Sequence, residues 1–439
     1  MDTQPRVDQE HVRITHRLLD ELFGDESPDK LAVRLWDGSQ WPDERTRPVT
    51  LILRHPGALR AMFARGSELA LSEAYLYDDY DIEGSIESVF DLAGVLGART
   101  SGWRRKLSLL AALRRLPRPP QRPAGRRGPA KLRGRQHSVQ RDGEAVRYHY
   151  DVSNDFYRLF LDERMVYSCA FFATAQTDLD AAQLAKLDLI CRKLRLKPGQ
   201  RLLDVGCGWG GLVLHAARNY GVDATGITLG VPQVELANQR IAEAGLSASC
   251  RVRLLDYREV TEDHAFDALV SVGMFEHVGQ RMLPRYFEKA ARLLKPGGVF
   301  LNHGISSRAT DPISHGRNFS DTYVFPDGDL LPIHVTLRAA EMAGFEVRDV
   351  ESLREHYALT LRHWVRRLEA GHAQALRHVD EVAYRVWRLY MSGSAHGFMS
   401  GRLNVHQALL AYPDSRGSSG LPLTRTDWYS PPSRDILFP

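Results

Sequence analysis

The chain has 439 residues, 43% of them hydrophobic, four cysteines and a formal charge of +4. That length suggests two or three domains and that composition a real buried core. Scattered cysteines without CxxC or CxxC…HxxxH spacing exclude a disulfide scaffold and a zinc module, so no metal is expected and a reducing, cytoplasmic setting is the default. No apolar run approaches the roughly 18–20 residues of a membrane-spanning helix, and an N-terminus with acids throughout is not a signal peptide.

Residues 1–102 read as a compact mixed α/β unit. LAVRLW (31–36) and VTLIL (49–53) alternate as strands do. Residues 58–63 and 72–75 look helical, and IESVFDLAGVLG (86–97) looks like an amphipathic helix closing the unit. Residues 103–144 break this pattern. Between Arg104 and Arg135 stand 12 Lys/Arg and no acid, so the basicity is local and the rest of the chain is net acidic. WRRKLSLLAALRRL forms at most one short basic helix. The Pro- and Gly-rich stretch after it cannot build a core and reads as a basic linker.

From 145 to 439 the pattern alternates strand and helix. Strands are expected at 200–205, 223–228, 250–255, 268–272 and 298–302, and helices at 210–219, 232–244 and 283–294. This alternation implies a doubly wound, Rossmann-like α/β domain whose parallel sheet is covered on both faces.

The segment RLLDVGCGWGG (201–211) is a strand entering a glycine turn that opens a helix. Glycines let a backbone approach a ligand, and a helix N-terminus offers free N–H groups. Two patterns fit. Gly206, Gly208 and Gly211 satisfy GxGxxG, the dinucleotide fingerprint. Asp204 with Gly206, Gly208 and Gly210 satisfies the DxGxGxG of S-adenosylmethionine (SAM) methyltransferases. The second is favoured. Asp204 ends its strand where a carboxylate can receive an ammonium group. The second strand ends in TGIT (225–228) and lacks the ribose-binding acid a dinucleotide site wants. The KPGG turn (295–298) is also common in methyltransferases.

Six segments then carry a family resemblance: HYDVSNDFYRLFLDERMVYSCAFF (149–172), LLDVGCGWGG (202–211), GITLGVPQ (226–233), SVGMFEHVG (271–279), YVFPDGDLLP (323–332) and HYALTLRHWVRRLE (356–369). In this order, over more than 250 residues, they resemble the cyclopropane-fatty-acyl-phospholipid synthases and the related mycolic acid cyclopropane synthases. LSEAYLYDDYDIEG (71–84) resembles the extra N-terminal domain of the full-length bacterial enzymes, which implies a lipid-binding or accessory role for residues 1–102.

The resemblance implies methylene transfer from SAM to the cis double bond of a phospholipid acyl chain, with a bound bicarbonate ion as base. By position, the bicarbonate holders are Cys169, Glu276, His303, Ile305 and Tyr357. The SAM contacts are Tyr167, Ser168, Gly206, Thr228, Gln233, Asp256 and Tyr257. Asp256 is expected at the adenine amino group, and Gln233 in place of the missing ribose acid. Relatives often show His-Thr-Ile where this chain has His303-Gly304-Ile305. The spacing is kept, so Gly304 is expected to change little.

The chemistry makes the same demands independently. A weakly nucleophilic alkene needs the sulfonium held in line and dry. Methyl transfer leaves a cation that aromatic faces can stabilise. A base must then take a proton from the new methyl group rather than from the chain; otherwise the product is a methylene- or methyl-branched chain. The expected partner is the acyl chain of a phospholipid at the inner membrane surface, where each basic linker residue contributes roughly 1 kcal/mol. A homodimer is compatible with this reading. A nucleic-acid partner is not expected, since no aromatics interleave the basic residues. Nothing in the sequence accounts for the tail after Ala411.

Overall fold

A computed structural model describes residues 4–24, 29–92, 96, 102–121, 128–130, 132, 134, 138–150, 152–310 and 318–429. Residues 122–127, 131, 133 and 135–137 of the expected linker therefore lie outside the described residues, as do 93–95 and 97 of the expected closing helix, Asp151, and 430–439 of the tail. The chain divides into two compact units. One is Met1–Pro129 with Gly316–Val324 and Val379–His396; the other is Ala130–His315, Phe325–His378 and Gly397–Pro439. Among the described residues no helix is long and apolar enough to cross a membrane.

The first unit holds a four-stranded sheet in the order β2-β1-β3-β4, formed by β1 (Leu31–Arg34), β2 (Gln40–Trp41), β3 (Val49–Leu53) and β4 (Tyr80–Gly84). In VTLIL every second residue is buried, as a strand with one core-facing side requires. Leu18, Leu19 and Leu22 of the helix Gln4–Leu22 are buried in this unit. The two later segments join it through polar contacts. Tyr323 donates to Glu73 at 3.2 Å. Arg385 donates to the Tyr75 carbonyl at 2.7 Å and to Asp78 at 2.9 Å. The basic stretch WRRKLSLLAALRR is helical over Trp103–Arg115, burying Leu109 and Leu113 and exposing Trp103 and Leu107.

The first helix of the second unit is Val139–Tyr150. Its seven strands are β5 (Arg201–Val205), β6 (Asp223–Thr228), β7 (Cys250–Leu254), β8 (Phe266–Val272), β9 (Leu294–Ser307), β10 (Glu346–Ser352) and β11 (Leu403–Ala411). They lie in the order β10-β11-β9-β8-β5-β6-β7. Strands β5 to β9 pair in parallel, as the doubly wound reading requires. The sheet is nevertheless mixed: β11 is antiparallel to both β9 and β10. Neighbouring residues feed opposite faces. Leu202, Val270, Leu301 and Leu409 enter one apolar core, and Leu203, Leu269, Phe300 and Leu410 the other. Burial on both faces is why RLLDV and FDALVSV read as apolar runs rather than alternations.

Candidate active site

The C-terminal ends of β5, β6 and β8 open on a cavity, the usual ligand position in such sheets. Gly206 has φ +85°, and a Cβ there would meet the Met274 Cβ at 2.7 Å, so no larger residue fits. Nine of the ten residues expected at SAM line this cavity: Tyr167, Ser168, Asp204, Gly206, Gly208, Thr228, Gln233, Asp256 and Tyr257. Gly210 does not line it. It starts the helix Gly211–Tyr220 in the left-handed region and packs against Ala237.

Asp204 is 2% exposed, and its Oδ1 has no hydrogen-bond partner. Burial raises its pKa to about 7, against the lowering pull of Lys186. An orphaned buried carboxylate oxygen at a cavity wall fits the ammonium group of SAM, since burying it without a partner is costly. Lys186, which also lines the cavity, donates to the Ser168 hydroxyl at 2.9 Å. Burial lowers its pKa to about 8.

Sequence reasoning did not single out Lys186. The signal was present in the helix Leu179–Lys193, whose buried stripe of Leu179, Ala182, Leu187 and Ile190 also contains Lys186 and Lys193. A lysine on an apolar helix face calls for a partner. Asp256 has closer company than its expected adenine role implies. Arg258 donates to both of its carboxylate oxygens, at 2.8 and 2.6 Å, and also pairs with Asp142 at 3.1 Å. The Thr228 hydroxyl donates to the Gln233 side-chain oxygen at 2.6 Å, fixing the amide at the cavity wall.

The five residues expected to hold an anion do not line this cavity. Contacts join four of them, and His303 shares β9 with Ile305. Glu276 lies between Met274 and His277, both in the cavity wall. Its Oε1 accepts the Ile305 backbone N–H at 2.7 Å, while Oε2 is buried without a partner. Burial raises its pKa to about 7. His303 stands two residues before Ile305 on β9, where side chains repeat on one face. It is 1% exposed, and its Nε2 has no partner. Burial holds it well below the usual imidazole range, so the ring is neutral.

Cys169 is fully buried, and its thiol is pushed up by that burial, so it stays protonated. Its Sγ donates to the Leu353 carbonyl at 3.7 Å, which also accepts the Tyr357 N–H at 3.1 Å. The Leu353 N–H bonds the Val405 carbonyl at 2.9 Å, and Val405 pairs with Ile305 across β11 and β9. One unbroken set of contacts thus joins Cys169, Tyr357, Ile305 and Glu276. Tyr167, Trp364, Tyr357 and Phe398 add an aromatic group. Tyr167 stacks on Trp364 at 5.1 Å and Tyr357 lies against Phe398 at 4.7 Å.

Gly304 departs from expectation. A Cβ there would lie 2.1 Å from two atoms of the Phe275 ring. The Cδ1–Cε1 edge of the ring points at this glycine, one residue before Glu276, so the identity of residue 304 matters to the site.

A family model described as mycolic acid cyclopropane synthetase matches residues 137–408. A second, a domain of unknown function, matches 18–95. The "Probable fatty acid methyltransferase" of Pseudomonas putida is 40% identical over 402 residues, 91% of this chain and 96% of that protein. The cyclopropane-fatty-acyl-phospholipid synthase of Escherichia coli K12 is 37% identical over 278 residues, 63% of this chain and 69% of its own length. The crystal structure of mycolic acid cyclopropane synthase CmaA1 complexed with SAH and CTAB superposes with a TM-score of 0.58 at 37% identity, covering 61% of this chain and 97% of that one.

Proposed function

The chain belongs to the mycolic acid cyclopropane synthetase family and is a SAM-dependent methyltransferase, and from that premise we propose that it cyclopropanates the cis double bond of unsaturated phospholipid acyl chains. The observation that carries this reading is the pair of orphaned polar atoms, His303 Nε2 and Glu276 Oε2, buried next to the cavity wall. A neutral imidazole and a carboxyl group poised near 7 fit a small oxyanion that bears a hydroxyl. In the cavity SAM would supply an electrophilic methyl group, and a bicarbonate held by His303 and Glu276 would supply a proton acceptor.

The chain's own residues do the rest. Asp204 receives the ammonium group and fixes the methyl donor. His303 donates an N–H to the anion and Glu276 orients its hydroxyl. Cys169, held as a thiol, adds no charge. The aromatic group around Tyr167, Trp364 and Tyr357 offers π faces to a cationic acyl chain.

Association with an anionic membrane surface is part of the proposal. Its support is the charge of residues 104–135 together with Trp103 and Leu107, 68% and 57% exposed and one helical turn apart. The first 102 residues then serve as a lipid-binding or accessory domain.

A second reading is C-methylation that leaves a methylene- or methyl-branched chain. It is favoured by the name of the Pseudomonas putida relative, which aligns with 91% of this chain. The test is incubation with methyl-labelled SAM, once with vesicles of cis-monounsaturated phospholipid and once with soluble methyl acceptors. Label in acyl chains that resist mild hydrogenation supports the proposal, and label in acyl chains that take up hydrogen supports the second reading. Label only in soluble acceptors, or none, overturns both.

A further inference from the structure

Glu351, Gln407 and His303 stand directly opposite one another on β10, β11 and β9, forming a row across three strands. Gln407 and His303 are each 1% exposed. Lys193, also 1% exposed, comes from the helix Leu179–Lys193 and donates to the Glu351 carboxylate and, at 2.7 Å, to Gln407 Oε1. The other end of the Gln407 amide meets His303 Nδ1 at 3.1 Å.

An ammonium group has donors only, so the amide atom facing Lys193 must be the oxygen. The atom facing His303 is then the NH₂, which also only donates. Nδ1 must therefore accept, and the single proton of a neutral imidazole must sit on Nε2. That is the nitrogen left without a protein partner. Which nitrogen of an imidazole carries the proton is set by the hydrogen bond the other one makes.

The C-terminal segment covers the base of this row. Trp428 is 3% exposed, and Lys193 lies 5.4 Å from the centroid of its ring. Tyr429 donates to Glu351 Oε1 at 2.8 Å. Arg425 pairs with Asp349 at 2.7 Å, and Asp427 accepts from Arg195. Trp428 and Tyr429 thus end on the lysine and the carboxylate of this row, while Arg425 and Asp427 anchor the segment to Asp349 and Arg195.

We propose that Gln407, oriented by Lys193 and Glu351, is a positioning residue that fixes His303 as the Nε2–H tautomer, and that the segment Arg425–Tyr429 is a strap holding this relay in register. The functional consequence rests on the reading above, in which His303 donates to a small anion. It makes the tail part of the site's support and gives a neutral amide on β11 a role in catalysis without contact with substrate.

The full-length protein labelled with ¹⁵N-histidine tests this directly, with His303→Gln used to assign the His303 signals. The wild type is expected to show a protonated Nε2 and an unprotonated Nδ1. A protonated Nδ1 overturns the proposal without any variant. Gln407→Glu keeps the shape and an acceptor for Lys193 but presents only acceptors to the ring, so the protonated nitrogen should become Nδ1. Turnover should fall by about 10²-fold, the scale of losing one positioned donor, with SAM affinity within twofold of wild type. An unchanged tautomer in Gln407→Glu overturns the proposal. A reversed tautomer with unchanged turnover supports the relay and instead fails the reading of His303 as an anion donor, so the two are separable. Trp428→Leu combined with Tyr429→Phe should lower kcat about tenfold at unchanged SAM affinity. Wild-type kcat in that variant overturns the role of the strap.

Discussion

Gly304→Ala is a one-methyl perturbation with a large expected effect. The added Cβ would stand 2.1 Å from Phe275 Cδ1 and Cε1, so the ring must retreat roughly 1.3 Å to reach an ordinary 3.4 Å contact. Phe275 is only 3% exposed and packed in the apolar core that contains Leu203 and Phe300. Overpacking of such a site costs about 1–3 kcal/mol, or a few degrees of Tm in a unit of this size. The greater effect falls on catalysis. Phe275 and Glu276 share one turn, and Glu276 reaches Ile305 N–H at 2.7 Å across the same strand that carries residue 304. A displacement near 1 Å at a reacting group can cost about 10² in rate. Turnover on phospholipid vesicles, SAM affinity by calorimetry and thermal melting would be measured together. The expected result is a modest fall in Tm, SAM affinity within a fewfold, and a much larger loss of kcat. Phe275→Leu should restore part of that loss in the double variant, giving a non-additive cycle. Wild-type melting and turnover in Gly304→Ala would refute the reasoning.

Three further outcomes follow from the same geometry. Glu276→Gln should bind SAM normally and lose most turnover; retained activity would remove Glu276 from the site. The folded pKa of Glu276 is raised above its ordinary 4.5 to about 7, so its contribution to stability is present below about pH 4.5 and lost as pH rises through 7. Glu276→Gln should therefore flatten the Tm profile between pH 5 and 8, a difference of up to about 3 kcal/mol. Asp204 must be ionised to receive the SAM ammonium group, and its pKa is raised to about 7. SAM affinity should accordingly rise as pH increases through 7 and level off above it, and calorimetry on Asp204→Asn should show a weak, flat profile. Replacing the arginines between Arg104 and Arg135 with glutamine, or Trp103 with alanine, should weaken cosedimentation with anionic vesicles. In the arginine variants the salt dependence should fall as well. Unchanged binding would reduce that region to a tether.

The sequence made the cavity legible because its parts are local. A strand, a glycine turn and a helix start are written consecutively in RLLDVGCGWGG, and the apolar runs of β5, β6 and β8 require burial on both faces. Strands β10 and β11 were not legible. EVRDVES, on β10, is an edge strand with little burial, and its polar character gives no strand period. LNVHQALLA carries Gln407, whose importance lies entirely in which residues stand opposite it. Lys186 and Lys193 read as ordinary helix charges until the buried face of their helix is known. The effect of Gly304 is non-local too, since the ring that needs the space comes from a turn 29 residues earlier.

The central claim is that the orphaned His303 and Glu276 atoms direct proton removal to the new methyl group, closing a ring. Its most direct test is the product itself. Phospholipid vesicles with cis-monounsaturated chains would be incubated with the protein, SAM and bicarbonate, and the fatty acids released, mildly hydrogenated and separated by chromatography before mass spectrometry. The account predicts acyl chains heavier by one CH₂ that resist hydrogenation. Chains of the same added mass that take up hydrogen carry a methylene branch or a methyl-branched double bond, and would contradict ring closure.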